Sequence, residues 1–205
     1  MAEKAENNLR GKLLESARKL LVNEGYKGFS LRKVARITGV SATSVYIYFE
    51  NKDHLIHSII EQSIDELNGR LHKVYVALQD PVERLEGFAA AYVNYALEHP
   101  REYQIIYAVS SEEMGRYPKE KFRKARKGYE FLTDTIQEGV ERNILEESDP
   151  RTAAYTIWAQ LHGVMSVVLS KRLDTRINQH EFIEQAISHI LQGFHMRTAL
   201  QPQKL

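Results

Sequence analysis

The sequence predicts an all-α protein in which an N-terminal helix-turn-helix precedes a larger helical region. Apolar residues recur at three- and four-residue intervals along most of the chain, and no stretch shows the two-residue alternation of a strand hairpin. Four of the five prolines fall at junctions between helical stretches, where a proline is tolerated. Residues 30–52 also carry the caps and the glycine turn of two short helices.

A leading helix is predicted over residues 7–24. In the next helix, Ser30 can act as the cap because its hydroxyl can accept from backbone N–H groups left unpaired at a helix start. Gly39 tolerates the left-handed conformation of a tight turn, and Ser41 can cap the helix that follows. The predicted buried side of the first short helix is Leu31, Val34, Ala35 and Ile37.

The second short helix has two different sides. Val45 and Phe49 are four residues apart and are expected to face inward, whereas hydroxyl-bearing side chains are expected to face outward. The outward set is Thr43, Ser44, Tyr46 and Tyr48. This pattern is typical of a helix-turn-helix, whose second helix lies in the major groove of DNA.

Charge supports the same interpretation. Residues 1–52 carry ten lysines and arginines and five acidic residues, which gives an excess of five positive charges. Residues 53–205 carry eighteen lysines and arginines and twenty-two acidic residues, which gives an excess of four negative charges. A basic N-terminal module favours phosphate binding, because cationic side chains release counterions condensed on the duplex.

The motifs of residues 9–57 are Phe29-Ser30-Leu31, Ala35…Gly39-Val40-Ser41 and Val45-Tyr46-Ile47-Tyr48-Phe49-Glu50-Asn51-Lys52-Asp53. They closely resemble the DNA-binding domain of the TetR/AcrR family of bacterial regulators. Trp158-Ala159-Gln160-Leu161-His162-Gly163 resembles the Trp-x-x-x-His-Gly signature of one C-terminal subgroup of that family. The resemblance implies a DNA-binding domain over residues 1–52 and an effector-binding and dimerisation domain over residues 53–205.

Residue roles follow from position within the family pattern. Tyr46 and Tyr48 are expected to contact phosphates, although Tyr46 could instead be half-buried core. Arg32 and Lys33 are expected to clamp the DNA backbone, with solvated surface as the alternative for Lys33, and Lys52 can face a phosphate at the start of a helix that Asn51 caps. Base contact is expected near the start of the second short helix, at Thr43 and Ser44, which could alternatively be ordinary early-helix residues. The full predicted DNA-binding set is Arg32, Lys33, Ser41, Ala42, Thr43, Ser44, Tyr46, Tyr48 and Lys52.

The rest of the chain is predicted to be helical. A long helix is expected from Lys52 to about Leu78, and Asp80-Pro81 starts the next one, which runs to His99. A short helix follows, residues 110–118 are expected to form a loop, and helical spacing resumes at Phe122. The last two helices are predicted over residues 150–172 and 179–197. The first of these is apolar on more than one side, so a second subunit is expected to cover it in a four-helix contact of a homodimer.

In the family that this sequence resembles, the helices that follow the long helix enclose an effector cavity. The candidate ligand-binding residues, any of which could instead belong to the ordinary core, are Phe88, Tyr92, Tyr103, Tyr107, Phe122, Tyr129, Trp158, His162 and Met165. Together they suggest an apolar or aromatic small-molecule effector held by a few hydroxyls and one imidazole. His162 could alternatively be a core histidine, and the basic run over residues 119–127 could either meet an anionic effector or be solvated.

Several classes of protein lack their defining features in this sequence. There is no cysteine, no apolar run near ~20 residues and no secretory leader, so a cytoplasmic protein without disulfides or a membrane span is expected. No catalytic motif and no cofactor motif is present. His54 and His57 have a metal-compatible spacing, but surface histidines are the preferred interpretation and no metal is expected. The prediction is therefore a ligand-responsive repressor of a double-stranded DNA operator; the alternative is a helical ligand- or protein-binding adaptor without operator recognition.

Overall fold

A computed structural model describes the backbone of residues 2–108 and 119–195, and the side chains of residues 8–107, 124 and 126–193. Within these ranges the chain is helical and contains no strand. In chain order the helices are α1 (Ala2–Gly28), α2 (Leu31–Thr38), α3 (Ala42–Tyr46), α4 (Lys52–Ala77), α5 (Pro81–Glu98), α6 (Pro100–Ala108), α7 (Lys119–Glu141), α8 (Pro150–Leu169) and α9 (Gln179–His195). The all-α prediction is confirmed.

Most predicted helix boundaries agree with the structure to within a few residues. α4 ends at Ala77, close to the predicted end, and Asp80 caps α5 by accepting from the backbone N–H groups of Val82 and Glu83 at 2.9 and 3.1 Å. α1 extends beyond the predicted residue 24 because helical structure resumes after Gly25, whose φ of 65° and ψ of −177° interrupt it. The predicted loop over residues 110–118 lies outside the described residues.

The chain divides into two compact units. The first comprises Met1–Glu66 and Arg101–Ala125, and the second comprises Leu67–Pro100 and Arg126–Leu205. In the first unit, one apolar cluster joins α1, α2, α3 and the N-terminal half of α4. Ile105 of α6 is 2% exposed and belongs to the same cluster. The core under the helix-turn-helix is therefore completed by a residue far along the chain.

A polar contact ties α6 to the same unit. Arg18 of α1 forms an ion pair with Glu102 at 3.1 Å, and its other terminal nitrogen donates to Gln62 of α4 at 3.3 Å. Both members of the ion pair are about one-fifth exposed. Because α1, α4 and α6 all contribute, displacement of α6 has to break this contact and remove Ile105 from the core.

The second unit is built from α5, α8 and α9, which pack against one another, together with most of α7 and the C-terminal part of α4. The buried Arg84 of α5 binds Glu138 of α7 at 2.7 Å and lies 4.8 Å from the ring centre of Tyr75. Hydrogen bonds from Arg84, and then from Arg142, lower the pKa of the Glu138 carboxyl. Among the described residues, no helix combines the length and apolar character needed to cross a membrane.

Candidate nucleic-acid interface and effector site

Three caps fix the position of α3. Ser30 accepts from the backbone N–H of Lys33 at 3.3 Å and so caps α2. Gly39 ends α2 in the left-handed conformation, with φ 75° and ψ 30°, and the backbone N–H of Val40 donates to Ala35 at 3.0 Å. Ser41 then caps α3 by accepting from the backbone N–H of Ser44 at 3.1 Å. The turn needs a residue that tolerates positive φ, and glycine does so without steric cost.

α3 presents one side to the core and the other to solvent. Val45 and Phe49 are both fully buried, as their four-residue spacing predicted. Thr43 and Tyr46 are exposed on other sides of the helix, and 55% of the Tyr46 surface is accessible. Tyr46 is therefore available to a ligand rather than half-buried.

Other residues of the predicted DNA-binding set are partly buried or already hydrogen-bonded within the chain. Ala42 and Ser44 are half-buried, and the hydroxyls of Ser41 and Ser44 lie 2.8 Å apart in a hydrogen bond. Tyr48, expected to face outward, is half-buried and packs against the core cluster, since it follows α3 directly before the buried Phe49. Tyr48 therefore has only part of its surface available to DNA.

The predicted cationic contacts also differ from one another. Lys33 forms an ion pair with Glu24 and donates to the carbonyl of Gly28 at 2.9 Å, so it stabilises the end of α1. Arg32 is exposed and forms no ion pair within the described part of the chain. Ile37, expected to be buried, is 52% exposed, because Thr38 and not Ile37 continues the i, i+3, i+4, i+7 stripe of α2.

Lys52, at the start of α4, is held against Tyr26. Its ammonium donates to the backbone carbonyl of Tyr26 and lies 3.6 Å from the ring centre of the same residue. The Tyr26 hydroxyl donates to Asp53 at 2.9 Å, and Asn51 caps α4 by accepting from the backbone N–H of His54 at 2.8 Å, as predicted. These contacts join the C-terminal end of α1 to the N-terminus of α4.

The predicted ligand-binding residues are distributed over both units. Phe88, Tyr92 and Met165 are buried in the second unit. In the first unit, Tyr103 is buried and its ring lies 5.0 Å from that of Tyr107. The side chain of Phe122 is outside the described residues.

The other three predicted ligand-binding residues come together in the second unit. Tyr129 of α7 lies edge-on to Trp158 of α8, with 5.3 Å between the ring centres. Trp158 in turn stacks on His162, with 5.5 Å between the ring centres and an angle of 11° between the ring planes. Tyr155, absent from the predicted set, stacks on Tyr129 at 4.5 Å and 3°. We call these four residues the aromatic ladder. Burial lowers the pKa of His162, which favours its neutral, hydrogen-bonding form.

The sequence contained a signal for Tyr155. It precedes Trp158 by three residues and His162 by seven, so all three share one face of α8. An open groove of about 630 Å³ lies along α8 between Arg151 and Gln160, and Tyr155 and Trp158 form part of its lining.

The metal alternative has no support within the described ranges, where no three His, Asp or Glu side chains group as metal ligands. His57, interpreted as a surface residue, is only 5% exposed, so that interpretation is wrong; it lies within the first unit, next in the chain to the fully buried Ile56. In the basic run 119–127, Lys124 binds Glu61 at 2.7 Å and Asp65 at 3.2 Å, so this cation is neutralised within the chain.

Two family models match the chain. One, described as bacterial regulatory proteins of the tetR family, matches residues 13–59. The other, described as a tetracyclin repressor-like C-terminal domain, matches residues 85–190, about half of the chain. The chain belongs to the TetR family. The first match contains the helix-turn-helix, and the second contains the aromatic ladder.

Similar proteins agree with this assignment to the TetR family. The HTH-type transcriptional repressor KstR2 of Mycobacterium tuberculosis is 25% identical over 137 residues, 66% of this chain and 68% of the relative. The repressor NicS of Pseudomonas putida is 25% identical over 74% of this chain and 73% of its own. The fatty acid degradation regulator FadR of Bacillus halodurans has the same fold, with a TM-score of 0.72 and 18% identity over 89% of this chain and 94% of its own. PfmR of Thermus thermophilus has a TM-score of 0.68 and 22% identity, over 88% of this chain and 97% of its own.

This member of the TetR family is therefore a DNA-binding transcriptional regulator and not an enzyme. The family typically acts as dimers that respond to small molecules.

Proposed function

We propose that this protein is a repressor that binds a palindromic DNA operator as a homodimer and releases it when a small, largely apolar effector binds. The observation that carries the proposal is the outward side of α3, where Thr43 and Tyr46 are exposed on a helix whose opposite side is fixed in the core. A rigid helix with exposed hydroxyls on a basic module suits major-groove recognition.

Thr43 and Ser44 are proposed to contact bases, while Tyr46 and Tyr48 donate to phosphates. Arg32, which has no ion pair among the described residues, is proposed as a backbone clamp. Lys52 can serve the same purpose despite its contact with Tyr26, because an ammonium has three donors and the Tyr26 carbonyl engages only part of them. The Tyr26 contact would then orient the ammonium for a phosphate.

The homodimer is proposed to form through the outward sides of α8 and α9. Tyr155 is 44% exposed, and Ala159 and Gly163 follow it on an exposed face. A Cβ added at Gly163 or at Gly193 of α9 would have no other atom within 4 Å, so both helices leave room there for a close approach. Met165 and Val168, by contrast, are buried within the chain and cannot contribute to this interface.

The functional division is proposed as residues 1–52 for DNA binding and residues 53–205 for effector binding and dimerisation. Trp158, His162 and Gly163 would form the Trp-x-x-x-His-Gly signature of the subgroup, with the aromatic ladder as one wall of an effector site. The neutral imidazole of His162 suits a hydrogen bond to an uncharged ligand.

Effector binding has to bias two states of the DNA-binding unit, because a ligand shifts an equilibrium only by its differential affinity. We propose α6 as the element that does this, through Ile105 and the Arg18–Glu102 ion pair. Arg18→Ala should then change the effector concentration needed for release, while leaving operator affinity without effector within a few-fold.

Selection of bound DNA from random pools, using the full chain, tests the proposal. The expected result is one enriched palindrome whose half-sites are separated by about 10–10.5 bp or a multiple, bound by a dimer. Aromatic, lipidic and cationic compounds would then be titrated against the emission of Trp158, the only tryptophan, with and without that operator. A compound that releases DNA must bind the operator complex more weakly by the same factor.

Failure of the selection would contradict the proposal. A chain that enriches no DNA sequence, yet binds compounds next to Trp158, would act as the helical adaptor that lacks operator recognition. A compound that releases DNA from a site far from the aromatic ladder would contradict the proposed location of the effector site alone.

A further inference from the structure

The most exposed large apolar side chain in the described part of the chain lies directly after α3. Ile47 is 71% exposed, compared with 52% for Ile37, the other strongly exposed isoleucine of the first unit. Singly exposed apolar residues are ordinary on protein surfaces. What distinguishes Ile47 is its direction relative to the helix that is proposed to enter the major groove.

The backbone of Ile47 continues the helical conformation of α3. Its φ and ψ are −63° and −35°, and its N–H donates to the carbonyl of Thr43 at 3.3 Å. Thr43 lies two positions before the fully buried Val45, and Ile47 lies two positions after it. At 3.6 residues per turn, both side chains therefore point about 160° away from that of Val45. Ile47 and Thr43 therefore share the centre of the outward side.

We infer that Ile47 is a specificity-determining residue that reads a thymine methyl group in each operator half-site. The inference rests on the proposed function, since it requires α3 to enter the major groove. Base edges in that groove present hydrogen-bond donors and acceptors to most polar side chains, and the C5-methyl of thymine is their apolar feature. An exposed isoleucine at the centre of a reading surface gains free energy when it is buried against such a methyl group.

Thymine-to-deoxyuridine substitution tests the inference, because it removes the methyl and leaves base pairing intact. The operator obtained by selection would be substituted at one symmetric thymine pair at a time, and binding would be measured for the wild type, Ile47→Ala and Ile37→Ala. Ile37→Ala is the matched control, since it makes the same change at an exposed position of α2.

At one thymine pair, we expect deoxyuridine to weaken the wild type and Ile37→Ala by about fourfold for each half-site and about fifteenfold in the doubly substituted operator. Ile47→Ala should bind the unmodified operator more weakly by a similar factor and should not respond to deoxyuridine at that pair. Thermal unfolding of both variants should match the wild type, because both side chains are exposed.

Equal responses of the wild type and Ile47→Ala to every deoxyuridine substitution would overturn the inference, as would an operator whose thymine methyls have no effect on wild-type binding. Either result leaves operator binding itself intact. Absence of any operator would instead contradict the proposed function, so the two failures are distinguishable.

Discussion

The outward sides of α3 and α8 differ, although both helices anchor their inner sides in the same way. α3 is fixed by Val45 and Phe49, and α8 by residues such as Ile157 and Met165, all at most 1% exposed. Outside, α3 presents hydroxyls on a unit whose first 52 residues carry an excess of five positive charges. The exposed residues of α8 from Tyr155 to Ser166 carry no charge.

The difference indicates different partners for the two surfaces. A polyanion is attracted by cations and hydrogen-bond donors, which suits α3. An uncharged face with small residues such as Ala159 and Gly163 permits close helix approach at little desolvation cost, which suits a second copy of the chain. Variants that change one of these surfaces, paired with a matched change elsewhere in the chain, test this difference.

The largest effect is expected from Ala159→Glu. A carboxylate buried without a partner in an apolar interface costs several kcal/mol, so the variant should be monomeric at micromolar concentration. Operator affinity should fall by about a hundredfold or more, because a single half-site contributes too few contacts. Sedimentation and operator binding would measure both effects, with Ala90→Glu on the exposed side of α5 as the control. A dimeric Ala159→Glu variant with full affinity would show that α8 is not the interface.

The next effect is expected from Tyr46→Phe, which removes only a hydroxyl from the outward side of α3. A hydrogen bond to a charged group contributes about 1.5–3 kcal/mol, so losing one per half-site should weaken operator binding by at least tenfold. The salt dependence should change little, since no cation is lost. The matched control is Tyr75→Phe, the same change at a half-buried tyrosine of α4 outside both surfaces, and it should leave DNA binding unchanged. Equal losses in both variants would show that the Tyr46 hydroxyl makes no specific contact with DNA.

A smaller effect is expected from Gly163→Ala, compared with Gly69→Ala on α4. Both glycines are helical and exposed, and neither added Cβ would meet another atom within 4 Å. Within one chain, each change should therefore stabilise its helix by about 0.5–1 kcal/mol. Gly69→Ala should raise the melting temperature, whereas Gly163→Ala should weaken the dimer several-fold because the partner approaches closely there. A Gly163→Ala dimer as tight as the wild type would argue against that close approach.

Local backbone chemistry explains which parts of this structure the sequence could predict. Ser30, Gly39 and Ser41 were assigned correctly because a cap or a turn depends on residues within four positions. Ile37 was misassigned because apolar character alone does not specify which residues near a helix end complete the buried stripe. Ile47 was overlooked, although its position two residues after Val45 places it on the outward side, because an apolar side chain is not an obvious DNA contact.

Contacts between distant residues were not predictable in the same way. Lys52 and Tyr26 are 26 positions apart, and no periodicity signals that an ammonium will lie over that ring. The insertion of Ile105 into the core of the helix-turn-helix is likewise invisible in the helical pattern of α6. The predicted ligand-binding residues identified most of the aromatic ladder, because Trp158 and His162 lie on one face of one helix.

The smallest effect is expected at the inner edge of α8, where His162 stacks on Trp158. Burial lowers the pKa of His162 in the folded protein, so the imidazole is protonated more readily in the unfolded chain than in the folded one. The contribution of His162 to the free energy of unfolding is therefore fully present above roughly pH 6.5, where an unfolded histidine is neutral. This contribution declines as the pH falls below that value. Trp158 emission should report the same titration, with a midpoint below that of free histidine. His162→Gln should remove this step from the emission and flatten the decline in stability, and a midpoint at or above that of free histidine would show that burial does not control this imidazole.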